Sequence, residues 1–502
     1  MMWKDWYNLK ENLKDFFIDE FLGGLSDASF SGFNPEDTKK MREFLKLCER
    51  IKLALDQDFK LLKDTAKQEE ANMQKNAIIG DRKAAGKLRG DIQDKLTALN
   101  ILSSDYPSCY RNLTDAVFHE LFGLSSLAAW ANDYTPEYAR SSSAKIIGDE
   151  IYCLIDGKSV LQPQRLPKAR RDQLRQALLM AYPKENIAKG HNEVYLKRDD
   201  GNIIRATLLS DKFTQKGKDA MVFRKYLLSD SDALKFEILS GYGTFPKECC
   251  DLFRDMVKCG YNVIMSGEVR SGKTTFLQTY QHYEDPTLEA TTVSTDEETD
   301  YSKVTKGPLI QIIADEDDLK QMEKTLKRLD SNYIIMSEMR TAMEYKFYLG
   351  ITNMGTRRCK CTIHDNDASS FPRKMATEVV SSFGGDLQAT IAQIYTNVDF
   401  VFEMFEVPTD RSKKRLKGIV EFRYDKERDL CLAHRICKYD AKTDTWCWNS
   451  DIGKDKQDIA IGYMENFEDM KRILRSLEEN SPLKEGIDEY PSYYLGNAKV
   501  ER

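Results

Sequence analysis

The chain has 502 residues, 41% of them apolar and 31% charged, and its 75 Lys and Arg against 81 Asp and Glu leave a net charge of −6. That composition excludes a disordered chain, and the acidic balance excludes nucleic-acid binding through a global positive field. At about 150 residues per domain the length predicts roughly three domains, and no run approaches the roughly 18 to 20 apolar residues of a membrane-spanning helix. Charges stand where a signal peptide would have its apolar core, and 11 cysteines lack any framework spacing. Both features predict a chain kept inside the cell with reduced thiols.

Residues 1–100 are expected to form a helical N-terminal extension. Trp3, Trp6, Leu13, Phe17 and Phe21 lie among charges of both signs, which suits a helix docked on protein better than one on anionic lipid. From about 35 to 100, Met41, Phe44, Cys48, Ile51, Leu55, Phe59 and Leu62 recur every three or four residues, predicting one long amphipathic helix. Residues 101–230 are expected to be an α+β domain, in which alternating runs at 193–198 and 203–208 flank a Gly-containing turn and predict a β-hairpin. A Ser/Asp stretch after Lys225 is the candidate linker. From 231 to 439, apolar strands alternate with helical patterns, the signature of an α/β fold with a parallel sheet and crossover helices. Residues 440–502 are expected to be an appendage with one helix around 459–477.

The chemistry is concentrated at a phosphate loop. A short apolar strand ending at Ser266 leads into Gly267, Glu268, Val269, Arg270, Ser271, Gly272, Lys273 and Thr274, with Thr275 opening a helical pattern. Glycines let backbone N–H groups fold around phosphates, a lysine meets the β and γ charges, and a hydroxyl suits Mg²⁺. These nine residues are the candidate ATP-binding set. A second apolar run, 333–336, ends at Ser337 and Glu338, putting a carboxylate at the carboxyl end of a strand where Mg²⁺ and the attacking water would sit. Thr274 and Glu338 are the candidate Mg²⁺ residues.

Four boxes in this order resemble the ATPases of type II and type IV secretion and pilus assembly, especially the tight-adherence pilus branch. They are the phosphate loop; an acidic box at 293–300 with Asp296 and Glu297; the strand carrying Glu338 and Arg340; and a His box running from Gly355 to His364. The likeness covers roughly residues 110–425 and includes a helix and Gly-Leu turn at 118–128 and the pair Arg224-Lys225. It implies a RecA-like P-loop domain preceded by an α+β domain, assembled as a homo-hexamer that hydrolyses ATP with Mg²⁺. The implied work is protein secretion or pilus assembly, done in the cytoplasm at the inner face of the membrane with an integral membrane platform protein. By the same resemblance, Asp296 and Glu297 lie near Mg²⁺ and water, Glu338 polarises the water, and His364 senses the γ-phosphate. Arg205 and Arg224 are candidates for reaching phosphate from the N-terminal domain.

The sequence departs from the family pattern at Glu268, Val269 and Arg270, which are bulkier than usual, at Ser337 in place of Gly, in the order of Asp296 and Glu297, and at Arg358-Cys359 in place of Gly-Ser. The last pair is expected to alter how the His-box loop approaches nucleotide. An ATP-binding scaffold with little turnover and a DNA-translocating motor are the alternatives, the second disfavoured by charge; no stable nucleic-acid partner is expected, and a small-molecule kinase is weaker still. Two Cys/His groups, Cys359 with Cys361 and His364, and Cys431 with His434 and Cys437, are read as structural rather than metal-ligating. The basic run 411–415 is read as a solvated hairpin turn.

Overall fold

The computed structural model describes residues 35–61, 64–101, 104–166, 168–182, 187–198, 202–227, 231–295, 299–326 and 328–490. The tryptophan-bearing segment at the N-terminus and the acidic-box residues Asp296 and Glu297 lie outside them. Two compact units divide the chain, Met1–Leu227 and Leu228–Arg502.

In the first unit the long helical pattern forms three helices, α1 (Pro35–Leu61), α2 (Asp64–Ile78) and α3 (Arg82–Ala98). The single helix expected from periodicity is overturned at Gly80, which takes φ +91 and lies so close to a strand that a Cβ there would sit 1.8 Å from Lys197 O. Asp81 then caps α3 by accepting from Ala84 N at 2.8 Å. Phe44, Leu47, Cys48 and Ile51 of α1 and Leu88, Ile92 and Leu96 of α3 are buried at helical spacing in one core with α4 (Leu113–Phe122). That core is shared with an antiparallel sheet of β1 (Ser143–Ile147), β2 (Glu150–Ile155), β3 (Lys158–Arg165), β4 (His191–Lys197), β5 (Ile203–Leu209) and β6 (Ala220–Lys225), in the order β3-β2-β1-β6-β5-β4. The hairpin read from alternation is β4 and β5, paired from His191 with Leu209 to Lys197 with Ile203. Its core face carries Val194, Leu196, Ile204, Ala206 and Leu208.

The second unit has a mixed sheet. Its parallel part joins β7 (Val263–Gly267), β8 (Ala290–Ser294), β9 (Leu309–Ile313), β10 (Tyr333–Met339), β11 (Lys360–Ile363) and β12 (Phe400–Glu406), in the order β12-β7-β11-β10-β8-β9. Crossovers run through helices such as α5 (Lys273–His282), α6 (Ala342–Asn353), α7 (Phe371–Phe383) and α8 (Leu387–Asn397). This is the α/β, RecA-like arrangement expected, with the phosphate-loop strand separated from the Glu338 strand by one intervening strand. The parallel pattern stops at β12, because β13 (Lys414–Asp425), β14 (Leu430–Asp440) and β15 (Thr445–Trp448) follow turns too short to cross over and therefore pair antiparallel.

The tail expected to hold one helix holds two, α9 (Lys454–Tyr463) and α10 (Phe467–Asn480), separated where Met464 turns extended. Phe467, Met470, Leu474 and Leu477 recur at helical spacing and are buried in the core formed with β7 and β12. A short strand, β16 (Asp488–Glu489), pairs with β14. Among the described residues no helix is long and apolar enough to cross a membrane.

Asp115 in α4 is a focus of the first unit. It is reached by Tyr134 Oη at 2.7 Å, by His119 and Arg89 at 3.4 Å, and it accepts from the Arg111 backbone N–H. Burial alone would raise its pKa, yet these donors hold it at about 2. A carboxyl held below its unfolded value adds stability that is present above about pH 4 and is lost as pH falls through 2. Asp115→Asn is expected to cost about 2 kcal/mol at neutral pH and to flatten the loss of stability between pH 4 and 2, measured by urea unfolding at stepped pH.

Candidate functional site

Strand β7 is buried along its whole length and delivers the chain to the carboxyl edge of the sheet, where the loop 267–272 turns into α5. Gly267 has φ +146, and a Cβ on it would stand 2.0 Å from Met404 O on β12 and 2.7 Å from Ser271 Oγ. Only glycine fits between the loop and that neighbouring strand. Gly272 takes φ +93 as the residue before the helix, so that α5 begins with Lys273 and its N-terminus faces the loop. The bulky residues do not fill this cradle. Val269 is 60% exposed, Arg270 sits at φ +68, and Glu268 accepts from Asn366 Nδ2 at 3.1 Å. Ser271 Oγ is buried and, among the described residues, has no hydrogen-bond partner. Thr274 and Thr275 are half-buried in the first turn of α5.

Lys273 is buried, and its ammonium donates to Gly267 O at 2.9 Å and Glu268 O at 2.7 Å and meets His364 Nδ1 at 3.1 Å. His364 follows the end of β11, and its Nε2 meets Glu338 Oε1. Arg340 Nη2 donates to Glu338 Oε2 at 2.6 Å. With Nδ1 accepting from the ammonium, the network assigns the imidazole proton to Nε2, directed at the carboxylate. Four predicted residues from three elements thus form one chain of contacts, Lys273 to His364 to Glu338 to Arg340. Burial would raise the Glu338 pKa, but the hydrogen bonds from His364 and Arg340 hold its carboxyl well below the usual range.

The aim of Glu338 depends on a register shift between β10 and β11, where Met336 pairs with Cys361 but Met339 with Ile363. Such a bulge redirects the side chains it contains. Thr362 Oγ1 donates to the Ser337 carbonyl at 2.7 Å, and the Ser337 hydroxyl bonds to Ser294 Oγ at the end of β8. Ser337 therefore ties the Glu338 strand to the strand that precedes the acidic box. Arg340 is followed at once by a capping box on α6, in which Glu344 accepts from Arg340 N at 2.6 Å and Thr341 N at 2.8 Å.

Arg358 and Cys359 do not crowd this site. They precede β11 and lie below its carboxyl end by a strand's length, roughly 13 Å. Arg358 takes φ +64, a conformation natural to the glycine of the family pattern. Its guanidinium pairs with Glu284 and caps a helix, Cys249–Lys258, by donating to Val257 O at 3.2 Å and Lys258 O at 3.1 Å. Cys359 and Cys361 are fully buried, and burial pushes both thiols up. On β14, His434 meets Asp488 through Nδ1 at 2.6 Å and Asn449 through Nε2 at 2.9 Å. Among the described residues no group of three or more His, Cys, Asp or Glu is placed to hold a metal ion.

The basic run is a solvated turn only in part. Arg415 is buried in a pair with Asp444, donating at 3.0 Å, and the stem of Lys414 lies against Gly272 of the phosphate loop. Sequence spacing carries no signal for that approach, which needs the β12–β13 register. In the first unit, Arg205 and Arg224 are direct cross-strand partners on the sheet face opposite the core.

No known protein-family profile and no curated protein matches the chain. Among solved structures it is similar to the VirB11 ATPase of the Brucella suis type IV secretion system, at 12% identity over 57% of this chain and 93% of that one, with a TM-score of 0.30. It is similar to the Legionella pneumophila ATPase DotB, at 14% identity over 69% and 85%, with a TM-score of 0.41. It is similar as well to the pilus retraction motor PilT with bound ADP, at 14% identity over 68% and 91%, with a TM-score of 0.40.

Two substitutions separate the site from its support. Gly267→Ala is expected to abolish binding of a fluorescent ATP analogue, because its Cβ collides with the β12 backbone. Arg358→Gly is expected to leave that binding within about twofold while lowering the melting temperature by several degrees, since Glu284 loses a buried partner.

Proposed function

We propose that this chain is a Mg²⁺-dependent ATPase that works as a homo-hexameric ring motor for protein secretion or pilus assembly. The single observation that carries the reading is the contact chain from Lys273 through His364 to Glu338 and Arg340 over a glycine cradle at a helix N-terminus. It joins a phosphate-binding cation, a carboxylate and a histidine whose two ring nitrogens face both.

The residues fit ATP with Mg²⁺. Gly267 lets the loop pack against β12, Gly272 turns it into the helix N-terminus, Ser271 offers a buried hydroxyl, and the Lys273 ammonium is turned toward the loop carbonyls. Thr274 and Glu338 are the residues that would hold Mg²⁺, which when bound supplies positive charge to the β and γ phosphates. Lys273 exchanges its two loop carbonyls for phosphate oxygens and stabilises the charge that develops as the γ-phosphoryl leaves. Glu338, kept ionised by its donors, is a weak base; its part is to orient the attacking water by accepting a hydrogen bond, not to strip a proton early. His364 stands between Lys273 and Glu338, so any movement of Lys273 onto phosphate is felt at its ring and can be passed to the following loop.

By the four-box resemblance, Arg205 and Arg224 are the first unit's candidates for meeting a phosphate oxygen, whose developing charge needs fixed cations. Asp296 and Glu297 follow the strand whose Ser294 bonds to Ser337, which supports a role for them near Mg²⁺ and water. The membrane platform protein and the position at the inner face of the cytoplasmic membrane belong to the same proposal and rest on the four-box resemblance. An ATP-binding scaffold is the second reading, favoured by one observation: the Lys273 ammonium is already satisfied by protein acceptors.

Steady-state phosphate release with Mg²⁺ and ATP tests the proposal, with solution mass read in the same buffer. Lys273→Ala and Glu338→Gln are each expected to lower turnover at least about a hundredfold, and the wild type to elute as a hexamer. ATP binding by a wild-type protein without turnover would replace the motor with the scaffold.

A further inference from the structure

The loop that follows His364 is hung on the far half of the sheet. Glu403 is buried on β12, in register with Ser266 of the phosphate-loop strand. Its Oε1 accepts from Ala368 N at 3.0 Å, four residues beyond His364. Asn366, between them, is held from both sides: its side chain donates to Glu268 in the phosphate loop, and its carbonyl accepts from Lys417 Nζ on β13. Of these ties, the one through Glu403 is the most deeply buried.

The Glu403 carboxylate cannot stand alone at that depth. Its Oε2 accepts from Arg435 Nη1 on β14 at 2.6 Å, and Arg435 is itself buried. The space for this pair exists because residue 418, on β13 between them, is glycine; a Cβ there would lie 2.6 Å from Arg435 Nη1 and 2.8 Å from Glu403 Oε2. Arg435 Nη2 then donates to Glu489 at 3.3 Å, and Arg435 N donates to Ile487 O at 2.7 Å. His434 beside it grips Asp488. The C-terminal strand is thus fastened to the same arginine that neutralises Glu403. The pairing raises the Arg435 pKa against the effect of burial, in keeping with a guanidinium committed to two carboxylates.

We infer that Glu403 is a positioning residue of the hydrolysis site, which sets the loop from His364 to Ala368, and that the C-terminal strand governs that setting through Arg435. The inference rests on the ATPase reading for its kinetic consequence and on hydrogen bonding alone for its structural one. The carboxylate of Glu403 is engaged by Ala368 N and Arg435. It acts by holding the backbone from which His364 projects, so its loss frees His364 from the geometry in which one ring nitrogen faces Lys273 and the other Glu338. Because Glu489 is 39% exposed, its grip on Arg435 is the part of the network that a partner or a shift of the C-terminal segment can reach.

Arg435→Gln in the full chain is the test, read by ATP affinity, turnover and amide exchange of residues 364–370. ATP affinity is expected to stay within about twofold, turnover to fall about tenfold, and the Ala368 amide to exchange at least about tenfold faster. Adding Glu403→Gln should restore protection of Ala368 and most of the turnover, because the glutamine keeps an acceptor for the amide and removes the orphaned charge. Glu489→Gln, at the half-exposed end, folds without a buried charge being stranded and should raise Ala368 exchange by a smaller factor. Wild-type exchange at Ala368 in Arg435→Gln overturns the inference, as does a parallel loss of ATP affinity and turnover that the second substitution does not recover. A wild-type protein that does not hydrolyse ATP overturns the ATPase reading instead, and the exchange data then judge the positioning of the loop by themselves.

Discussion

An ammonium group withdrawn from water at the mouth of a parallel sheet must be met by acceptors, and the way Lys273 is met organises the second unit. Two of its acceptors are carbonyls of its own loop, which bend inward only because Gly267 presses against the Met404 carbonyl without a side chain between them. The third is His364, more than ninety residues away, which arrives because β11 runs parallel to β7 in the adjacent position. Glu338 then comes within reach of the imidazole because β10 lies on the other side of β11 and bulges at its end. Parallel strands share one carboxyl edge, so a sheet of this order collects loop, histidine and carboxylate on a single rim.

Behind that rim the second unit uses buried carboxylates as locating pins. Glu284 is answered by Lys360 at 2.7 Å and by Arg358; Asp399 by Arg357, by Lys456 at 3.1 Å and by Asn262 N at 2.7 Å; Glu403 by Arg435 and Ala368 N. Buried pairs of this kind contribute little net stability because desolvation offsets their attraction. Their effect is on specificity, since a carboxylate stranded by a slipped helix or strand is costly. Each joins a residue of the parallel core to one from a loop, the antiparallel strands or the C-terminal helices. The antiparallel strands and α9 are in this way held in register with the strands that carry the chemistry.

Particular residues show how far the sequence could be read. The strand, loop and helix around Lys273, the β4–β5 hairpin and the alternation of strands with helices from β7 to β12 were legible because each depends on neighbours a few places apart. Two expectations failed, and a third held only in part, where a distant contact decided. The single helix over 35–100 is interrupted at Gly80, whose close approach to Lys197 leaves no mark in hydrophobic periodicity. The crowding expected of Arg358 does not arise, since Arg358 precedes β11 and pairs with Glu284, which follows the C-terminal end of α5, the end away from the phosphate loop. The basic run at 411–415 forms a turn as read, yet its last two residues enter β13, where the Lys414 stem lies against the phosphate loop and the buried Arg415 pairs with the exposed Asp444.

The sequence by itself determined the phosphate loop, the order of the four boxes and the α/β pattern, because glycine conformation, helix and strand periodicity and motif spacing are local properties of a chain. Only the tertiary structure decided which nitrogen of His364 meets Lys273, that Glu338 is aimed by a bulge, that Arg205 and Arg224 face each other across two strands, and that Glu403 ties the C-terminal strand to the histidine loop. Those contacts join residues 19 to 91 positions apart, and their geometry exists only once strand order and register bring them together.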